Sequence, residues 1–224
     1  MNKLFSLSLL LLACILPLKA QENYSPTTAW PYIYPSFRSG TIQMQNGKVR
    51  ASDLNIHIRH GKLHYLENNI VKEMFLTDVL GASIGGDNYL NAGDTMVKVL
   101  AMNEKGCVVE QTLGDYAALL ETGGAYGSSS VTSATRKLSS IDTDNQINQN
   151  YMILMQNKDE GQSIPLESKL YLMFAGNRIA ATRSEVEKWI PDDRKEEWKQ
   201  WRKSHKIKWN QPNSILTILD FLNP

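Results

Sequence analysis

His57, His64 and Glu73 are the residues whose types and spacing most directly suggest chemistry. On neighbouring strands, side chains that share a face stand about 5 Å apart. Two imidazoles and a carboxylate at that separation can hold zinc or another divalent metal and leave a position open for water. Such a water becomes a nucleophile at neutral pH, the chemistry of a metal-dependent hydrolase. His60 is within reach as an extra ligand. No HExxH or comparable motif accompanies the trio. The competing reading is that these are ordinary polar side chains on the solvent face of a sheet, with no cofactor.

A second set of residues suggests binding. Trp198, Trp201 and His205 fall at helical spacing, surrounded by Arg194, Lys195, Lys199, Arg202 and Lys203, with Trp189 and Trp209 nearby. Bases mixed with aromatics can bind nucleic acid, a sugar, or an anionic membrane surface; the alternative is a tryptophan stripe packed on a sheet. Trp30 and Tyr32, within a run that also holds Ile33, Tyr34 and Phe37, offer an aromatic surface for a sugar or partner, or else an arm that covers apolar surface. Tyr126, between Gly124 and Gly127, is a candidate lid residue. The long Gly/Ser/Thr/Asn segment 123–149 has the composition of a surface loop. It contains no GxSxG or SxxK nucleophile setting and no GxxxxGK[ST] phosphate loop.

The elements that must position these residues are strands. Leu54 to Phe75 consists of short runs of alternating apolar and polar residues joined by turns. Leu54, Ile56 and Ile58 share one face; Asn55, His57 and Arg59 share the other. A two-residue turn at His60-Gly61 would pair His57 with His64 and Ile56 with Tyr65. Asn68-Asn69 makes a second turn that sets His64 against Glu73 and Leu66 against Val71. His57, His64 and Glu73 would then lie side by side on the outer, watery face.

The rest of the chain supports an α+β protein: an antiparallel meander sheet, curled towards a sandwich or half-barrel, followed by short C-terminal helices. Residues 21–39 form an irregular arm rich in proline and aromatics. The β-rich region is expected over 40–182, with hairpins at Asn46-Gly47 and through Asn103-Glu104-Lys105. Residues 77–91 read as turns with one short strand at 82–84, and Tyr116 to Leu120 as a helical turn or a strand. Tyr151 to Gln156 and Leu166 to Ala175 read as the last two strands. Beyond 183 the period changes. Ser184 to Glu187 reads as a capping box, a helix runs from Asp192 to about Lys206 after Pro191, and an apolar helix, Ile215 to Leu222, should dock on the sheet.

The address is the sharpest reading. Asn2-Lys3 precedes an apolar run, Leu4 to Leu18, too short and wrongly flanked for a membrane span. This predicts a secretory signal peptide over residues 1–20, cleaved after Ala20. Leu11-Leu12-Ala13-Cys14 is the competing lipoprotein reading, disfavoured because Ile15 to Leu18 stays apolar where a lipoprotein turns polar. The mature chain would keep one cysteine, Cys107, so no internal disulfide, and its strand-like setting suggests a buried thiol. With 224 residues and a formal charge of +1, no molecule-wide field points to nucleic acid.

The segments WPYIYPSF, DLNIHI, GGAYGSSSVTSATRKLSS and KIKWNQPNSILTILDFL resemble a group of secreted, uncharacterised proteins of Gram-negative gut anaerobes. The resemblance implies an exported protein, periplasmic, outer-membrane-associated or secreted, and carries no catalytic residues across. Asp94-Thr95-Met96 is similar to the three-residue O-glycosylation acceptor used in such bacteria, with Thr95 as acceptor in a turn that Gly93 would expose. These readings together favour a non-enzymatic binding module for an envelope glycan or protein. The competing classes are a hydrolase using His57, His64 and Glu73, and a purely structural envelope component.

Overall fold

The structure, a computed structural model, describes residues 24–121 and 147–222. The expected signal peptide, Cys14, Tyr126 and nearly all of the 123–149 segment lie outside them.

Ten antiparallel strands form one sheet, curled into a half-barrel, with short helices at the C-terminal end. β1 (Arg38–Met44), β2 (Val49–His57), β3 (Lys62–Glu67) and β4 (Ile70–Glu73) make a meander, with β4 at one edge. The chain then returns through a 3-10 turn, Leu76–Asp78, to place β5 (Val79–Ile84) on the free side of β1. A second meander follows: β6 (Asp87–Asn91), β7 (Met96–Asn103), β8 (Gly106–Gly114), β9 (Leu166–Phe174) and β10 (Asn177–Ala180). Helix α1 (Tyr116–Glu121) follows β8, and α2 (Tyr151–Asn157) precedes β9.

Asn68-Asn69 forms the expected turn, both residues with positive φ, and pairs His64 with Glu73 and Leu66 with Val71. The β2–β3 register differs from the expected one by two. His57 pairs with Lys62 and Ile56 with Leu63, so the loop is four residues, Ile58 to Gly61. The cause is tertiary. The backbone groups a shorter loop would have used are engaged elsewhere: Ile58 N–H donates to Pro31 O, Gly114 N–H to Ile58 O, and Met96 N–H to Gly61 O. These bonds also show the curl, since they draw the β2–β3 loop against the starts and ends of β7 and β8. A shift of two leaves every side chain on its expected face.

Three further expectations are corrected. Residues 77–91 contain two strands, not one, joined at Gly85-Gly86 with positive φ at both glycines. Tyr151–Asn157 is a helix, not a strand. Asn150 caps it by accepting from Met152 N–H, and Leu154 is buried with Tyr151 and Met155 beside it. A short apolar run without alternation fits either element. β10 was not anticipated, because its turn uses Ala175 in the left-handed region, an unusual place for alanine.

The C-terminal helices are α3 (Arg183–Lys188), α4 (Lys195–His205), α5 (Pro212–Leu216) and α6 (Ile218–Leu222). Thr182, not Ser184, caps α3 by accepting from Glu185 N–H. Pro191 leads into a 3-10 turn, Asp192–Arg194, that runs into α4. The expected final helix is split at Thr217, whose hydroxyl donates to Ser214 O. Ile215, Ile218, Leu219 and Phe221 are buried with Val108 and Leu172 of the sheet and with Trp198.

The curled face of the sheet carries an apolar cluster drawn from six strands, including Ile42, Leu54, Ile56, Leu63, Ile84, Tyr89 and Met96. The opposite face of β2–β4 is covered as well. Residues 30–37 run beside the far end of β2 as a broken continuation of β1, through the Tyr32–His57 bridge and the Ile33 N–H to Ile56 O bond. Trp30, Tyr32 and Phe37 pack there with Val71 and Leu154. Asn55, fully buried, ties this segment down. Its Oδ1 accepts from Tyr34 N–H and Ile56 N–H, and its Nδ2 donates to Tyr34 O and Ser36 O.

Candidate functional site

β2, β3 and β4 bring His57, His64 and Glu73 together on one face, as alternation required. That face is not watery. His57 and His64 are 1% and 2% exposed, beneath the 30–37 segment. Their rings stand 5.2 Å apart, and Tyr32 lies edge-on to both. The Tyr32 hydroxyl is 2.9 Å from His64 Nδ1, and Glu73 Oε2 is 3.4 Å from His64 Nε2. A neutral imidazole satisfies both contacts at once: Nε2–H donates to the carboxylate and Nδ1 accepts from the phenol. In His57, Nδ1 accepts from Arg59 N–H, which leaves the proton on Nε2, buried and without a partner.

Electrostatics favour the neutral state. Burial holds His57 well below the ordinary imidazole range, with the electrostatic influence of its neighbours, His64 first, adding to the effect. Burial also lowers His64, against the opposing pull of Glu73. Glu73, at the rim, is held ionised by its bond to His64. Tyr32 is pushed far up by burial and by Glu73, so it stays protonated. Chemically this is a Glu–His–Tyr relay whose phenol end is sealed. Among the described residues no three His, Cys, Asp or Glu side chains are placed to share a metal ion. His64 already has both nitrogens engaged, and His60 is exposed in the loop beyond the pair.

The other expected site residues are corrected in their setting. Trp30 and Tyr32 are fully buried, so they form an internal wall rather than a stacking surface. Trp198 is buried against Phe221 and stacked on Trp201, while Trp201 is half-buried beneath His205 at 4.0 Å. Thr95 is 2% exposed. Its turn shows Gly93 and Asp94 to solvent but turns the Thr95 hydroxyl inward beside Gly61, out of reach of a glycosyl donor. Cys107 is buried, and burial raises its thiol.

Two polar features were not anticipated. On the curled face, Tyr34 donates to Asp87 Oδ2 at 2.6 Å and sits 2.7 Å from the Tyr89 hydroxyl, while Lys98 pairs with Asp87 Oδ1 at 2.8 Å. Arg38 lies over the Tyr34 ring. Burial pushes Tyr89 up to about 12, while Lys98 and Tyr34 hold Asp87 ionised against its own burial. The network satisfies itself and locks Tyr34 to β6 and β7.

The second feature is a cleft of about 620 Å³ where the β6–β7, β7–β8 and β9–β10 turns line up. Asn103 and Asn177 present amides, while that of Asn91 is spent on Leu76 O, Val79 O and Gly93 N–H; Lys105 and Arg178 bring charge, paired with Asp220 and Asp94, and Phe174 supplies an apolar wall. Met102 is largely exposed at its lip. Three turns far apart in sequence build it, so no local motif announces it.

No protein-family model, curated protein or solved structure matches the chain. Among the described residues no helix is long and apolar enough to cross a membrane.

Proposed function

We propose that the protein is an exported cell-envelope component that binds a glycan without turning it over. One contrast carries this reading: the two histidines are buried beneath Tyr32, whereas the open cleft is lined by amides, charge and an apolar wall. Amides, two cations and an apolar wall suit a hydroxyl-rich ligand, whose hydroxyls pair with amides and whose ring faces lie on apolar carbon. Export rests on residues 1–20 reading as a cleaved signal. Mature protein from the native envelope should begin at Gln21 by intact mass.

The purified mature chain should be titrated calorimetrically against envelope glycans, with the glycan recovered and weighed afterwards. Saturable binding of an unaltered glycan, weakened by Asn177→Asp and Arg178→Glu, supports the proposal. A cleaved product, with stoichiometric metal lost in His64→Ala, would replace it by the hydrolase reading. Cross-linking in intact cells that captures only a protein would replace the glycan by a protein partner.

A further inference from the structure

Charge in this chain is segregated. Asp192, Asp193, Glu196 and Glu197 open the helical segment, but from Trp198 to Leu219 there is no Asp or Glu, while Lys199, Arg202, Lys203, Lys206 and Lys208 add five positive charges. The rest of the sequence then carries 19 lysines and arginines against 23 acids, a formal −4. The positive excess of a chain of nearly zero net charge is therefore concentrated on the last turns of α4 and the turn after it.

This patch is open to solvent. Lys203, His205, Lys206 and Lys208 are exposed, and the three lysines have no carboxylate partner among the described residues. Lys199 pairs with Glu196, and Arg202 faces Glu187 at 4.0 Å. The backbone turns sharply at Lys206, φ 47°, which ends α4 between Lys203 and Lys208. Trp201 and Trp209, next to these lysines in sequence, are half-buried against the C-terminal cluster.

We propose that this face docks the protein on an anionic phospholipid surface by adsorption, without insertion. Lysines on flexible stems are point charges that match a fluid, planar array of headgroup phosphates. They lack the forked, rigid geometry that reads a polymer along a groove. The neighbouring indoles suit the headgroup layer, while the buried Trp198 keeps α4 attached to the sheet. The proposal concerns a different surface from the cleft and does not depend on glycan binding.

The test is sedimentation of the mature chain with vesicles of phosphatidylcholine, with and without phosphatidylglycerol. Each lysine close to such a surface contributes roughly fivefold to partitioning. Removing three with Lys203→Gln, Lys206→Asn and Lys208→Gln should therefore weaken binding to anionic vesicles about 100-fold. Lys48→Gln, Lys158→Gln and Lys169→Gln change net charge equally but lie elsewhere, and should leave most of the binding intact. All six positions are solvent-accessible, and unchanged thermal melts would verify folding. Binding should fall steeply with salt. Equal binding to neutral vesicles, equal loss in both triple variants, or no vesicle binding while dextran sulfate is retained would each overturn the proposal.

Discussion

The buried histidine pair predicts an unusual acid sensitivity. In the unfolded chain both imidazoles titrate near 6.5. In the folded chain both are lowered by burial, His57 strongly. Below pH 6.5 the unfolded state therefore binds more protons than the folded state, and stability falls as the pH falls. The contribution is fully present above 6.5 and is lost through the window below it. Each histidine that stays neutral costs about 1.4 kcal/mol for each pH unit in that window. Between pH 7.5 and 5.5 the pair should remove up to about 2.7 kcal/mol, the larger part from His57, whose shift is the stronger. That is a large share of a typical domain's 5–15 kcal/mol. Glu73 acts with the same sign but at lower pH, since its carboxyl is also lowered. The assay is urea unfolding at pH 7.5, 6.5 and 5.5, read by tryptophan fluorescence, to which the buried Trp30, 5.0 Å from Tyr32, contributes. His57→Phe combined with His64→Gln should flatten the dependence. His57→Phe removes the Nε2–H, which has no partner among the described residues, but also the Nδ1 acceptor of Arg59 N–H, so slopes rather than absolute stabilities are compared. Equal slopes for the parent and the double variant would refute the reasoning, because the histidines would then not be neutral and sealed.

Three further outcomes follow from packing. Asn55→Ala strips three hydrogen bonds from the segment crossing β2 and one from Ile56 within β2, and should cost about 2–3 kcal/mol, with residues 24–37 becoming cleavable in limited proteolysis. Trp198→Ala empties the centre of the C-terminal cluster and should cost about 3–5 kcal/mol in urea unfolding. Gly61→Ala meets both a left-handed backbone and the Thr95 hydroxyl; a loss of about 1–3 kcal/mol from the backbone alone is expected. The part due to overlap should be recovered in the Gly61→Ala, Thr95→Ala double variant, measured by thermal melts.

Alternation along Leu54 to Phe75 was enough to place His57, His64 and Glu73 on one face and Ile56 on the other, because side-chain direction in a strand depends only on parity. The Asn68-Asn69 turn was legible for a local reason too, since asparagine tolerates the left-handed region. The same parity could not choose between a two- and a four-residue loop at His60-Gly61, as both leave every side chain on the same side. That choice fell to Pro31, Met96 and Gly114, whose backbone groups bond the loop from distant parts of the chain. Polarity likewise marked the His57 face but not what would cover it: a strand records which side its residues point to, and only the folded chain decides that Tyr32 and Trp30 come to lie there. Thr95 shows the same limit, as does the cleft made by three separate turns. Local pattern is set by neighbours one to four residues away, whereas burial is set by whatever the whole chain brings into contact.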